Sequence, residues 1–349
     1  MAKSRTLIIR PTLNCNANCT YCYVNHKNKY MQYNVLDILF KRINEYLLED
    51  PENSVELLWH GGEPSLMPIE FWEYTEKLYK KLDQKRIIKS VQTNLIGREA
   101  LIISQWWLDK GYNVSTSIDG SFEFHSKGRC LTRDDYKILL ENVEKLKELR
   151  GSIGVVCVIS KYQIDYPFEL LAFFEKIGAN VRFNKVDSVK WRNNVDYKEY
   201  YSFLMKVALI WLNDESSNIS VEPIESDFAS FLGDNKSSCN RNFGCYNQFL
   251  AIDFDGSVYP CNRFANYDKW KYGNIEDYTL SEFWNNISNT YFCSINTFEK
   301  CEKCSWKRLC GGGCKAQRIF DTKSTSKIFC DSIINYFETL YSILEKKKL

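Results

Sequence analysis

The chain has 349 residues, with 46 Lys plus Arg against 44 Asp plus Glu, a formal charge of +2, and 44% hydrophobic against 26% charged residues. That balance belongs to a folded globular protein. It excludes a disordered chain and a strongly basic binder of nucleic acid or membrane surfaces. No apolar run reaches the roughly 18 to 20 residues that span a bilayer, and the segment from Met1 to Arg10 lacks the apolar core of a signal peptide. The expected setting is the cytoplasm, where disulfides are rare, so 14 cysteines in one chain point to metal.

In chain order, apolar and β-branched runs predict strands at Thr6 to Ile9, Val55 to Trp59, Ile87 to Thr93, Val114 to Ile118, Ile153 to Ile159 and Val181 to Val186. Helical periodicity separates them near residues 35–48, 68–82, 98–109, 134–149 and 168–177. In the fourth of these, Ile138, Leu139, Val143, Leu146 and Leu149 share one face. Gly111, Gly151 and Gly178 follow three of the helices, where a left-handed C-cap favours glycine. Strands alternating with helices imply a parallel sheet, whose ligands sit at the carboxyl ends of the strands. A helix over about 196–213 follows. Gln248 to Phe254 and Ser257 to Tyr259 flank Asp255-Gly256 as a hairpin, and an amphipathic segment from Ser332 to Leu344 closes the fold.

The cysteines gather at two places. Cys15-x3-Cys19-x2-Cys22 lies in the loop after the first strand; by chance such a triplet is expected only roughly 0.02 times in a chain of this composition. Three thiolates suit an iron–sulfur cluster with one open iron, or a zinc site completed by His26. The last third holds Cys301-x2-Cys304-x5-Cys310-x3-Cys314, preceded by Cys239, Cys245 and Cys261 and followed by Cys330. These eight suit two fully ligated clusters or two structural zinc sites. Cys130, Cys157 and Cys293 have no such pattern; Cys157 is expected in the core and Cys130 to be buried and inert.

The run Cys15-Asn16-Ala17-Asn18-Cys19-Thr20-Tyr21-Cys22-Tyr23 resembles the signature of radical S-adenosylmethionine (radical SAM) enzymes. Trp59-His60-Gly61-Gly62-Glu63-Pro64, Ser115-Thr116-Ser117-Ile118-Asp119-Gly120 and the later Arg129 resemble further segments of that family. Gln92-Thr93-Asn94 also resembles a family segment, with Leu95 where relatives carry glycine, so the loop is expected to turn differently there. The second cysteine field resembles the SPASM extension, which holds auxiliary iron–sulfur clusters.

The resemblance implies a partial (β/α)6 TIM-like barrel over 1–190, a helical bridge over 191–237 and a small cysteine-rich SPASM domain over 238–349 with a hairpin and a C-terminal helix. It implies three [4Fe–4S] clusters and SAM. Cys15, Cys19 and Cys22 would hold the radical-generating cluster. Cys239, Cys245, Cys261 and Cys314 would hold one auxiliary cluster, and Cys301, Cys304, Cys310 and Cys330 the other. Tyr21, Gly61, Gly62, Glu63, Ser117, Asp119 and Arg129 would line the SAM site.

Relatives with this extension mostly oxidise peptides or proteins. The cysteine spacings are similar to those of anaerobic sulfatase-maturing enzymes, which convert Cys or Ser to formylglycine. Those enzymes carry an aspartate base directly after the cysteine matching Cys261. Here the residue is Asn262, which cannot take a proton, and neither Asp253 nor Asp255 is an evident substitute. This places oxidative crosslinking of a ribosomally made precursor peptide, as a C–C cyclophane or a thioether, ahead of formylglycine formation. With the first strand starting near Arg5, no N-terminal leader-binding domain of about 80–90 residues is expected. The implied partners are the peptide or protein substrate and a reducing donor such as flavodoxin or ferredoxin, with a monomeric enzyme.

Overall fold

The computed structural model describes residues 4–186, 194–233, 245–265, 267–286, 299–320 and 326–347. The expected strands form as β1 (Ser4–Ile9), β2 (Ser54–Trp59), β3 (Ile87–Gln92), β4 (Asn113–Ser117), β5 (Gly154–Ile159) and β6 (Asn180–Lys185). They lie side by side in chain order, each parallel to the next. Between them run α1 (Tyr33–Glu49), α2 (Ile69–Tyr79), α3 (Arg98–Asp109), α4 (Phe122–Arg129), α5 (Arg133–Arg150) and α6 (Pro167–Ile177). The fold is α/β, a parallel sheet of the partial-barrel kind.

Alternation along each strand divides the sheet into two faces. In β2, Val55, Leu57 and Trp59 are buried under the helices. Glu56 and Leu58 on the other face line a cavity shared with Ser90, Gln92, Ser115 and Arg182. Behind the sheet, Trp59, Trp72 and Trp107 pack edge to face, with centroids 5.2 and 4.9 Å apart. Such aromatic pairs favour a T-shaped approach because ring edges are positive and faces negative.

Three features differ from the sequence expectation. A seventh strand, β7 (Val221–Glu222), pairs with β6, so the bridge is not wholly helical beside α7 (Tyr197–Asn213) and α8 (Ile224–Phe231). The hairpin β8 (Phe249–Ile252) and β9 (Ser257–Tyr259) does not stand apart. β8 pairs parallel to β1, from Thr6 opposite Phe249 to Ile9 opposite Ile252, and so continues the barrel sheet. Leu95 does not force a different turn: it takes the left-handed φ of 55° that glycine favours. Its side chain is fully buried and Asn142 Nδ2 donates to its carbonyl at 3.0 Å, so packing and a hydrogen bond offset the backbone strain.

Beyond the sheet, a small separate core of Ala251, Tyr259, Phe264, Ala265, Trp270 and Ala316 abuts Cys261 and Cys314. The C-terminal helix, Ser326–Lys347, lies on α7 through pairs such as Tyr197 with Phe329 at 4.8 Å. Among the described residues, no helix is long and apolar enough to cross a membrane.

Helix α4 was not evident in the sequence because FEFHSKGR has no apolar period. It is held by His125, which is fully buried and whose Nδ1 accepts from the Asp119 N–H at 3.1 Å. Burial and the nearby Arg129 lower its pKa to about 3. The folded state therefore refuses a proton that the unfolded state accepts below its ordinary value of 6.5. Stability is complete above pH 6.5 and falls as the pH drops, by about 1.4 kcal/mol per unit for this group. Urea unfolding at pH 7 and pH 5 should show His125→Asn losing about 2 kcal/mol less than the wild type over that interval. Equal losses would contradict a buried neutral imidazole.

Candidate active site

The loop after β1 is closed at its base by backbone hydrogen bonds, Leu13 N–H to Lys29 at 3.1 Å and Met31 N–H to Pro11 at 2.7 Å. The segment after β2 runs beside it: Gly62 N–H donates to Thr12 and Glu63 N–H to Asn14, at 2.9 and 2.8 Å. A Cβ on Gly62 would lie 2.1 Å from the Asn14 carbonyl oxygen, so only glycine allows this approach. Glu63 is buried. Its carboxylate accepts from Thr93 Oγ1 at 2.6 Å, Asn94 N–H at 2.7 Å and Ser65 N–H at 2.9 Å, which counter the upward pull of burial on its pKa. It thereby ties the β2 loop to the end of β3.

This frame presents Cys15, Cys19 and Cys22 together. Burial pushes their thiols up, Cys15 to about 12 and Cys19 to about 11, and each of the other two cysteines adds to the rise at Cys15. Such thiols ionise at neutral pH only when a metal replaces the proton. Cys15 Sγ has donors of its own, Ala17 N–H at 3.4 Å and Asn94 Nδ2 at 3.8 Å, and Cys22 Sγ lies 3.3 Å from His26 Nε2. Among the described residues, no three His, Cys, Asp or Glu side chains converge on the position of a single ion. Thiolates of a four-iron cube sit on separate irons and need no such convergence.

Asp119, fully buried after β4, joins four elements. It accepts from Tyr21 of the cysteine loop, from Arg129 Nε at 3.1 Å and Nη2 at 3.2 Å on α4, and from Val158 N–H at 2.9 Å on β5. The bidentate pair leaves Arg129 charged and fixed in direction. Thr20 N–H donates to Gly128 at 2.8 Å, and a Cβ on Gly128 would lie 2.8 Å from the Tyr21 ring. Ser117 Oγ accepts from Gln92 Nε2 at 2.9 Å. The sequence-expected residues from the loops after β1, β2 and β4 thus meet at one end of the sheet.

In the last third, Arg263 Nη1 lies 3.5 Å from Cys314 Sγ. Burial lowers the pKa of Arg318, and Cys301, Cys330 and Cys310 counter that shift through their charge. Gly311, Gly312 and Gly313 are successive left-handed residues, and a Cβ on Gly313 would strike Phe329 at 2.6 Å. Cys245 opens a short helix, Cys245–Gln248, and Cys304 N–H donates to Cys301 at 3.3 Å. Cys239 and Cys293 lie outside the described residues.

Comparison with known proteins agrees with this arrangement. Residues 9–173 match the radical SAM superfamily, and residues 244–305 match SPASM, an iron–sulfur cluster-binding domain. The chain is a radical SAM enzyme with a SPASM domain. It is 29% identical to a cysteine-type anaerobic sulfatase-maturating enzyme of Clostridium perfringens, over 95% of each chain. It is 24% identical to a serine-type enzyme of Bacteroides thetaiotaomicron, over 100% of this chain and 92% of the relative. A solved structure of native anSMEcpe with bound AdoMet and the Cp18Cys peptide superposes with a TM-score of 0.82 at 27% identity, over 98% of each chain.

Several residues of this radical SAM enzyme were missed or misjudged from sequence. Cys130 is exposed rather than buried, at the left-handed end of α4 next to Arg129; Cys157 is buried as expected. Asn262 donates from Nδ2 to Tyr23 Oη at 2.5 Å, beside Cys22, while its buried Oδ1 has no partner among the described residues. Asp253 is committed to Arg10 at 3.6 Å, and Asp255 to the hairpin turn through Ser257 N–H at 3.0 Å. His60 accepts from Gly61 N–H at Nδ1, 2.6 Å, and its pKa is lowered to about 4 by burial and Arg10, so the ring is neutral. Nothing in the spacing of Arg10, Tyr23 or His60 marks them, because the loops that gather them are distant in sequence.

Gly62→Ala should leave the chain folded by circular dichroism but move the cysteine loop. A displacement of about 1 Å at a reacting centre costs roughly a hundredfold in rate, so SAM cleavage should fall by at least about that factor. Retained cleavage would contradict the close approach of Gly62 to Asn14.

Proposed function

We propose that this radical SAM enzyme matures sulfatases anaerobically, oxidising a Cys or Ser of a sulfatase peptide to formylglycine. The carrying observation is the likeness to a cysteine-type sulfatase-maturating enzyme over 95% of both chains. The peptide-bound structure that superposes over 98% of the chain supports a peptide substrate reaching the same end of the barrel. Formylglycine formation thus moves ahead of the crosslinking expected from sequence.

In this reading Cys15, Cys19 and Cys22 hold the radical-generating [4Fe–4S] cluster. Together with SAM, that cluster supplies a 5′-deoxyadenosyl radical that takes a hydrogen atom from the substrate. The backbone of Gly61, Gly62 and Glu63 receives the SAM amino group, and Ser117 lines the same site. Arg129 uses Nε and Nη2 for Asp119, which directs Nη1 to the SAM carboxylate. Tyr21 is held by Asp119 beneath them. Cys239, Cys245, Cys261 and Cys314 hold one auxiliary cluster, and Cys301, Cys304, Cys310 and Cys330 the other. A reduced flavodoxin or ferredoxin supplies the electron, and the enzyme acts as a cytoplasmic monomer.

Asn262 favours a second reading. Formylglycine formation from cysteine removes a proton from the thiol, and an amide cannot accept it. A C–C crosslink between side chains needs no deprotonated heteroatom, so a precursor peptide remains the alternative substrate.

Reconstituted enzyme with SAM, a low-potential reductant and Cys- or Ser-containing sulfatase peptides should give an aldehyde that a hydrazine traps, read by mass spectrometry. Asn262→Asp should raise its rate by roughly tenfold or more, since a positioned general base contributes about 10² to 10⁴. SAM cleavage with no aldehyde, together with loss of two hydrogens from a short peptide lacking the sulfatase motif, would support crosslinking instead.

A further inference from the structure

The turn Cys261-Asn262-Arg263 joins a proposed cluster ligand to two observed contacts. Cys261 belongs to the proposed ligand set. Asn262 reaches Tyr23 Oη at 2.5 Å. Arg263 reaches Cys314 Sγ through Nη1 at 3.5 Å. The turn is rigid: Asn262–Phe264 form a 3-10 helix, Phe264 N–H donates back to Cys261 at 3.0 Å, and the Phe264 ring is fully buried against Trp270 at 5.0 Å. Arg263 also acts on the phenol of Tyr23, as do Cys22 and Cys261. Its guanidinium therefore sits at the Cys314 thiol, one residue along the chain from the Asn262 contact with Tyr23.

We propose that Arg263 is a positioning residue that raises the reduction potential of the iron–sulfur centre held at Cys314, keeping it ready to take an electron from the substrate. A guanidinium stays charged at every working pH. A four-iron centre with four thiolates is anionic, and reduction adds one more negative charge. A cation on a ligand sulfur stabilises the reduced form more than the oxidised form, and hydrogen bonds to sulfur and local charge are the protein's means of setting such potentials.

The electron count requires an acceptor. Removal of one hydrogen atom from the substrate Cβ leaves a carbon radical. Loss of one electron to the oxidised centre and of one thiol proton completes the oxidation to a thioaldehyde. Water then replaces sulfur with oxygen and releases hydrogen sulfide. A carbon crosslink likewise releases one electron and one proton after the hydrogen atom, so the role of Arg263 serves either substrate. It rests on the reading of Cys314 as a cluster ligand.

The test is an EPR-monitored redox titration of the full reconstituted chain, repeated with Cys15, Cys19 and Cys22 changed to Ala so that only auxiliary signals remain. Arg263→Gln and Arg263→Met should keep the iron content but lower the reduction equilibrium constant of one auxiliary centre about tenfold, a shift of about 59 mV for one electron. The other centre is the internal reference, and Arg263→Lys should restore most of the shift. Unchanged midpoints at full iron content overturn the proposal. Loss of that centre's iron in both neutral variants also overturns it, because Arg263 would then build the site rather than tune it. A wild-type chain that loads only the iron of the N-terminal site overturns the ligand reading itself, and the proposal with it.

Discussion

The backbone of Gly62 passes so close to the Asn14 carbonyl that no side chain fits between them, and the site depends on that approach. It sets the cysteine loop against the segment after β2. Two buried carboxylates then extend the frame along the carboxyl edge of the sheet. Glu63 ties the second loop to the end of β3 through Thr93 and Asn94. Asp119 ties the fourth to the cysteine loop, to α4 and to β5. A buried carboxylate is costly unless every oxygen is used. Because these are used on neighbouring loops, the cost of burial becomes a constraint on geometry, and the loop that bears the three thiols is fixed against its neighbours.

The same logic joins the two cysteine fields. Pairing of β8 with β1 makes the cysteine-rich region a continuation of the barrel sheet, in register with the strand that feeds the radical-generating loop. Arg10 at the end of β1 pairs with Asp253 at the end of β8, one residue beyond that ladder in each strand. The turn at Cys261 lies just past β9, which is separated from β1 only by β8, and there Asn262 meets Tyr23 of the loop that follows β1. The two fields are therefore held together by one continuous sheet.

Strands and helices with strong apolar periods were legible in the sequence to within a few residues, as in α3, which runs over Arg98–Asp109. Glycine positions and cysteine spacing were legible for the same reason, since each answers a local requirement. What the sequence hid was settled by distant contacts. Helix α4 has no apolar face to announce it and exists because His125, Gly128 and Arg129 each meet a partner around Asp119. Strand β7 is two residues long and forms only because β6 offers an edge. Leu95 adopts a glycine turn because Asn142, 47 residues away, caps its carbonyl. Asn262 was visible as a departure from sulfatase maturases, but its hydrogen bond to Tyr23 was not.

The most direct test of the account is the metal content of the chain after anaerobic reconstitution with iron and sulfide. Three four-iron centres require about twelve irons and as many sulfides per chain, with about a third of them lost when Cys15, Cys19 and Cys22 are replaced together. Zinc in place of iron, or an iron content indifferent to those three replacements, would contradict it.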